Sequence, residues 1–227
     1  MTRLHGARAT LRRLARDVRG LALLEFAFIL PMFLVLSLTG AELTNYIIVR
    51  MRVSQLALQL ADNAARIGSG SQLQAKTIAE TDINDLLTGA GLQAGELDLY
   101  GRGRVMISSL EPMASPNTSG QYKIAWQRCR GSKVYDSPYD NTTTNISGGI
   151  GPAGQKVTAP DYGVTMFVEV AYNYQPLVKT SLSPSSDIKE FASMMVRDRR
   201  DTSDDSATTN LHPKGVYKVN GVTPSTC

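Results

Sequence analysis

The sequence predicts an α+β fold, in which a long N-terminal membrane-spanning helix packs along its second half on a small antiparallel sheet. Residues 21–40 form a nearly uncharged apolar stretch, residues 41–67 continue it with helical spacing, and strand-like segments follow beyond residue 96. Apolar side chains that recur every three or four residues indicate a helix, whereas strict alternation indicates a strand. A chain of 227 residues is long enough for one such domain and its anchor.

The first twenty residues form a basic leader, which we expect to remain in the cytoplasm. Six arginines and Asp17 give this segment a net charge of +5, which leaves −1 for the rest of a chain whose total charge is +4. The isoelectric point of about 9.1 therefore reflects the leader. Because the body has no basic patch, the composition argues against nucleic-acid binding.

Residues 21–40 are predicted to form a transmembrane helix. Twenty residues at 1.5 Å each span roughly 30 Å, the thickness of the hydrocarbon core of a bilayer. The arginines that precede the segment place its N-terminal end in the cytoplasm by the positive-inside rule. A secretory signal peptide cut near Ala41 is an alternative, although the residues around Thr39 and Ala41 match the small-residue cleavage pattern poorly.

Residues 41–67 are predicted to continue the same helix with one apolar face. We expect this face to pack on the domain that follows, because its apolar side chains recur at spacings of three and four. They are Val49, Val53, Leu56, Leu60, Ala64 and Ile67.

Glu25 is the only charged residue in the apolar stretch. A carboxylate within a membrane span is energetically expensive, so such residues are functional candidates. The alternative is that Glu25, five residues from Gly20, lies close enough to the membrane surface to remain hydrated.

The segment Arg19-Gly20-Leu21 followed by ALLEF resembles the cleavage signal of type IV pilins and pseudopilins. The longer run RGLALLEFAFILPMFLVL resembles the TadE-like family, minor pseudopilins of the tight adherence (Flp) pilus system, with weaker likeness in the WQRCRG and MMVRDR stretches. The family pattern is matched by Gly20, Glu25, Phe26, Ala27 and Pro31.

The resemblance implies a type IV pilin-like fold and a cut between Gly20 and Leu21 by a prepilin peptidase. It assigns Glu25, Phe26 and Pro31 to helix registry and pilin assembly. It also implies a single-pass protein of the bacterial inner membrane with a periplasmic C-terminal domain. The expected partners are the prepilin peptidase, other pilins or pseudopilins, and the pilus assembly machinery, with possible incorporation of the chain in an extracellular pilus.

Residues 68–227 are predicted to form the periplasmic α+β domain. A helix is expected over residues 71–90, with Ser71 as its N-cap and Gly89 and Gly91 at its end. Strands are expected over residues 97–110, 122–128 and 163–174. Residues 188–199 have helical spacing, but the resemblance favours a last strand. The polar stretches 129–163 and 201–227 are expected to be surface loops.

Cys129 and Cys227 are the only cysteines, and their wide spacing suits neither a redox motif nor a zinc site. In an oxidising compartment they predict one disulfide, with two free thiols as the alternative. We expect no metal and no cofactor. The absence of a catalytic motif argues against an enzyme, since the two histidines lie in the leader and the polar tail. A signal-anchored periplasmic enzyme or binding module, tethered by the helix alone, remains the alternative.

Overall fold

In the computed structural model, the described residues are 20–71, 73–140, 143–179 and 183–227. Apart from Gly20, the basic leader lies outside them. The described residues form one long N-terminal helix, two shorter α-helices and a curled antiparallel sheet, which confirms the predicted α+β class. The α-helices are α1 (Leu21–Arg66), α2 (Glu80–Gln93) and α3 (Leu99–Arg102).

Helix α1 covers the predicted span and its amphipathic continuation without a break. It begins at Leu21, continues through Pro31 and ends at Arg66. Among the described residues it is the one helix that is long and apolar enough to cross a membrane. The chain divides into two compact units, one made of Met1–Asn45 and Pro176–Pro184, the other of Tyr46–Gln175 and Ser185–Cys227.

The main sheet has five strands in the order β4-β3-β2-β5-β6, and every neighbouring pair is antiparallel. Four strands are long and one has two residues. A second, two-stranded sheet pairs β1 with β7 in parallel. The strands are β1 (Ile78–Ala79), β2 (Gly103–Pro112), β3 (Gln121–Arg130), β4 (Ile146–Ser147), β5 (Thr165–Asn173), β6 (Asp187–Met195) and β7 (Val216–Tyr217).

The second half of α1 packs on one face of this sheet, as its amphipathic pattern predicts. Its inward side chains Val53, Leu56 and Leu60 are almost fully buried. They share a core with Val168 and Val170 of β5, which point to the same face because they are two residues apart on a strand. Burial of this apolar stripe therefore holds the second half of α1 on the sheet.

The prediction of a helix over residues 71–90 is wrong at both ends. Residues 76–79 are extended, since the Lys76 amide donates to the Arg199 carbonyl at 2.8 Å and β1 pairs with β7. Helix α2 starts at Glu80, where the Asp82 carboxylate accepts the amide hydrogen of Ala79 at 2.9 Å. It then continues through both glycines to Gln93. Pairing with a distant segment has overridden local helix propensity.

The bounds of the predicted strands differ less from those observed. Residues 99–102 form the short helix α3, so β2 begins at Gly103 instead of residue 97. The ambiguous segment 188–199 begins within strand β6, which runs from Asp187 to Met195. The predicted strands 122–128 and 163–174 correspond to β3 and β5.

The polar segment after β3 is more than a surface loop, contrary to the sequence-based expectation. It contributes strand β4 and covers the second face of the sheet with a small core of its own. Ile150 is fully buried there against Phe167 of β5, and the Tyr139 ring meets Phe167 edge-on at 6.3 Å. A few apolar side chains spaced along a polar segment are enough to cover a sheet face, and their spacing has no period that sequence reasoning detects.

Arg200 caps the C-terminal end of α1. Its guanidinium donates to the carbonyl oxygens of Ala64 and Ala65, each at 3.4 Å, and of Ile67 at 2.8 Å. The last carbonyls of a helix have no partner within the helix, and a cation is favourable at that end of the helix dipole. Burial lowers the pKa of Arg200 to about 10, so the side chain remains charged near neutral pH.

Candidate functional site

The predicted cleavage position lies at the start of α1. Gly20 is exposed, and a Cβ atom built on it would meet nothing within 4 Å. Leu21 is the first residue of the helix, and its side chain is also exposed. The junction is therefore a helix terminus that the described residues leave sterically open.

The three predicted registry residues follow on the same helix. Glu25 lies one turn after Leu21, so the two residues share a helix face. Glu25 and Phe26 are exposed, and Pro31 is inside the helix. Among the described residues, the fold brings no distant segment onto these three side chains. All three residues are therefore exposed on α1, where other molecules can contact them.

The first half of α1 exposes apolar side chains on all sides. The most exposed include Leu23 and Met32, each at 76%. An 18-residue apolar window of the helix has no buried residues at all. Contiguous exposed apolar surface of this extent marks contact with a membrane or with other proteins.

An exposed apolar stripe extends into the second half of α1, on the side that does not face the sheet. Ile47, Met51 and Leu58 are each more than half exposed and follow helical spacing. This stripe was not predicted from the sequence, because residues 41–67 were assigned a single apolar face and the remainder of the helix surface was treated as polar. The signal was present in the sequence as a second set of apolar residues between those of the buried face.

A buried carboxylate lies beneath the segment that covers the second sheet face. Glu169 of β5 is 1% exposed and accepts hydrogen bonds from the hydroxyl groups of Tyr135, at 2.9 Å, and Ser137. Burial raises the pKa of Glu169, although both hydrogen bonds oppose the increase. Burial and the nearby carboxylate also raise the pKa of Tyr135, so its hydroxyl remains a donor at neutral pH. This arrangement fastens the covering segment to the sheet.

We expect Glu169→Gln to make the stability of the domain less sensitive to pH. The raised folded-state pKa favours the protonated side chain, so its contribution is fully present below the unfolded pKa of about 4.3 and is lost as the pH rises through the folded value. Glutamine does not ionise. The free energy of unfolding of Glu169→Gln minus that of the wild type should therefore increase from acidic to neutral pH in denaturant titrations. The exposed control Glu96→Gln should run parallel to the wild type, and a constant difference for Glu169→Gln would contradict the prediction.

The two cysteines come together at disulfide distance. Cys129 lies in β3 and is 4% exposed, and its Cα atom is 5.2 Å from that of Cys227, within the normal range for a disulfide. The tail is also held by hydrogen bonds: the Cys129 amide donates to the Ser225 carbonyl at 3.0 Å, and the Asn84 side chain of α2 donates to the Thr223 carbonyl at the same distance.

Carboxylates of the C-terminal segment organise its own loops. Asp204 accepts backbone hydrogen bonds from Lys214 and Ser206, which lower its pKa to about 2. Asp205 accepts the amide hydrogens of Leu211 and His212 in the same way. In the part of the chain that the structure describes, no group of three or more His, Cys, Asp or Glu side chains is arranged to hold a metal ion.

Comparisons with protein-family models, with curated proteins and with solved structures find no match to this chain.

Proposed function

We propose that this protein is a TadE-like minor pseudopilin that takes part in assembling or priming an adhesive Flp/Tad-type pilus. In this proposal a prepilin peptidase removes the basic leader, and the mature chain is held in the bacterial inner membrane by α1 with its body in the periplasm. Its partners are other pilins or pseudopilins and the assembly machinery, and its exposed helix packs against theirs.

The observation that carries the proposal is where α1 begins. A cut after Gly20 would make Leu21 both the mature N-terminus and the first residue of the helix. The half of the helix that follows is apolar and exposed, except for one carboxylate a turn from the new amine. Helix association in a bilayer depends on van der Waals packing and polar contacts, because lipid provides no hydrophobic driving force between helices.

We expect Gly20→Leu to block processing. Glycine lets an extended backbone enter a protease site without a side-chain clash, and leucine would remove this freedom. Because a Cβ at residue 20 meets nothing within 4 Å, the fold itself should tolerate the change. Intact mass and N-terminal sequencing of membrane-extracted protein should show a mature chain starting at Leu21 for the wild type and an uncut chain for the variant.

Gly40→Leu is the matched control, because a Cβ at Gly40 also meets nothing within 4 Å. This variant should be cut normally after Gly20. A wild-type chain that keeps residues 1–20 in cells with an active prepilin peptidase would refute the processing step. A mature chain that starts near Ala41 would instead identify a secreted protein, although α1 runs through that position as unbroken helix.

The role that we propose for Glu25 is axial registry between helices. Cleavage creates a positively charged amine on Leu21, and in a bundle Glu25 of one helix can meet the amine of its neighbour. Such a pair interacts more strongly in a medium of low dielectric than in water, although desolvation offsets much of the gain. Misaligned helices would leave the Glu25 carboxylate unpaired and would therefore be disfavoured. The ion pair with the neighbouring Leu21 amine thus selects one axial offset between the two helices.

We expect Glu25→Gln and Glu25→Ala to be inserted and cut normally but to be impaired in pilus assembly. Similar defects in both variants would show that charge matters and shape does not. The measurements are piliation and co-purification with partner pilins, and the exposed control Glu96→Gln should behave as the wild type. Normal piliation and co-purification for both Glu25 variants would leave Glu25 as a tolerated residue on an anchor, as expected for a tethered enzyme or binding module.

A further inference from the structure

The connection between β5 and β6 is unusually long for a hairpin. Strand β5 ends at Asn173 and β6 begins at Asp187. Antiparallel neighbours are commonly joined by about two to five residues. The middle of this connection, Pro176–Pro184, belongs to the compact unit that contains the first half of α1. Long connections between strands often have a function of their own.

Glu42 of α1 holds this connection in place. Its side chain is 3% exposed, and one carboxylate oxygen accepts the amide hydrogens of Leu177 at 2.8 Å and Val178 at 3.1 Å. Val178 has a further contact within the connection, since the Ser183 hydroxyl donates to the Val178 carbonyl at 3.0 Å. Two consecutive amides on one buried carboxylate fix the position of the backbone at residues 177 and 178 on the helix.

This contact lies at the end of the apolar stretch of α1. Glu42 follows residues 21–40 by two positions, and helical side chains lean toward the N-terminus of their helix. The carboxylate of Glu42 therefore covers the turn before it, which is the last turn of the stretch that fills roughly 30 Å of hydrocarbon. The amides bound to Glu42 are held at the same level.

The side chains displayed at this level suit a membrane surface. Leu177 is 68% exposed although its own amide is engaged by Glu42, and Lys179 is exposed two residues later. An apolar side chain beside a lysine matches the boundary between acyl chains and headgroups, where the apolar group enters lipid and the ammonium group meets phosphate.

We infer that residues 176–179 form an interfacial contact with phospholipid, with Leu177 inserted among the lipids, Lys179 on headgroup phosphate and Glu42 as the positioning residue. The inference depends on one part of the proposed function, the insertion of residues 21–40 in a bilayer, and is independent of cleavage and pilus assembly. In this inference the β5–β6 connection is a second point of attachment to the membrane, in addition to helix α1.

The experiment places an environment-sensitive fluorophore at residue 177 through Leu177→Cys in the full chain. Because the two native cysteines are paired with each other, the new thiol is the only free one in the oxidised protein. The labelled chain is reconstituted in phosphatidylethanolamine–phosphatidylglycerol vesicles, with and without lipids that carry a nitroxide quencher at the headgroup. Val35→Cys, labelled in the same way and tested with a deep quencher, reports insertion of the helix. Leu211→Cys, 62% exposed in the other unit, is the reference.

We expect the probe at residue 177 to be quenched several-fold more strongly by headgroup nitroxide than the probe at residue 211. Glu42→Ala should abolish this difference, whereas Glu96→Ala should preserve it. Equal quenching at residues 177 and 211 with a quenched probe at residue 35 would overturn the lipid contact and leave the membrane helix intact. An unquenched probe at residue 35 would overturn both. The inference would also be overturned if the stronger quenching at residue 177 persisted in Glu42→Ala. It would be overturned as well if the probe at residue 177 left the aqueous environment only after a partner protein was added.

Discussion

Replacing both Cys129 and Cys227 with alanine should lower the free energy of unfolding by up to about 4–5 kcal/mol. The bond joins residues 98 positions apart, and a cross-link that closes a loop of this length removes much of the entropy of the unfolded chain. The measurement is denaturant unfolding of the full chain in detergent, followed by fluorescence of the buried Trp126. Mass spectrometry of non-reduced peptides should show the Cys129–Cys227 pair directly.

Ser225→Ala is the control for this prediction. It removes the hydroxyl that bonds the Asn84 side chain at 2.7 Å but keeps both cysteines and the backbone hydrogen bond to Cys129. Its cost should be about 1 kcal/mol, the usual net value of one hydrogen bond. Two alkylatable thiols in protein taken from the periplasm, or equal stabilities for the double cysteine variant and Ser225→Ala, would contradict the expected bridge.

Breaking the ion pair between Glu80 and Arg128 should cost about 3–5 kcal/mol. Glu80, at the start of α2, is 2% exposed, and the Arg128 side chain on β3 is 13% exposed. The two groups meet through both carboxylate oxygens, with the Nε donating to Oε2 at 3.0 Å and Nη2 donating to Oε1. Either single change leaves a buried, uncompensated group, so Glu80→Gln and Arg128→Met should each be strongly destabilised in denaturant titrations.

The double variant Glu80→Gln/Arg128→Met should be more stable than the sum of the single losses indicates, because no charge is then buried without its partner. The exposed pair between Arg66 and Asp62, with side chains 75% and 38% exposed, gives the matched control. Asp62→Asn should change stability by less than about 1 kcal/mol. Strict additivity of the Glu80 and Arg128 losses would show that the two residues act independently.

The elements with a periodic pattern of apolar residues could be predicted from the sequence, whereas those that depend on contacts between distant segments could not. Helix α1 was predictable because a largely apolar stretch of twenty residues continues into a stripe of helical spacing. Strands β3 and β5 were predictable because their apolar residues alternate in β3 and run almost continuously in β5. The helix predicted for the segment before α2 was wrong because residues 199 and 216, more than 100 positions away, hold this segment extended. The α+β class is confirmed, and likeness to pilins remains part of the proposal.

The candidate functional residues divide in the same way. Gly20, Glu25 and Pro31 could be proposed from the sequence because their pattern is local and needs no partner within the chain, and their roles stay predictions. Glu42 was missed as a positioning residue, since its ligands are the amides of residues 177 and 178, which carry no side-chain signature. Glu169 could have been noticed as the one charged residue in a strand whose other residues are mostly apolar.

The cap on α1 also bears on the order in which the protein folds. Helix α1 is synthesised before the strands of the domain, but the side chain that satisfies its final carbonyls belongs to Arg200, 134 positions after Arg66. During synthesis the last turn of α1 therefore lacks this partner until Arg200 has left the ribosome. Contacts between distant segments form late and the domain closes as a unit. The body is thus expected to acquire its native packing only after Arg200 has been synthesised, around a helix whose last turn lacks its cap until then.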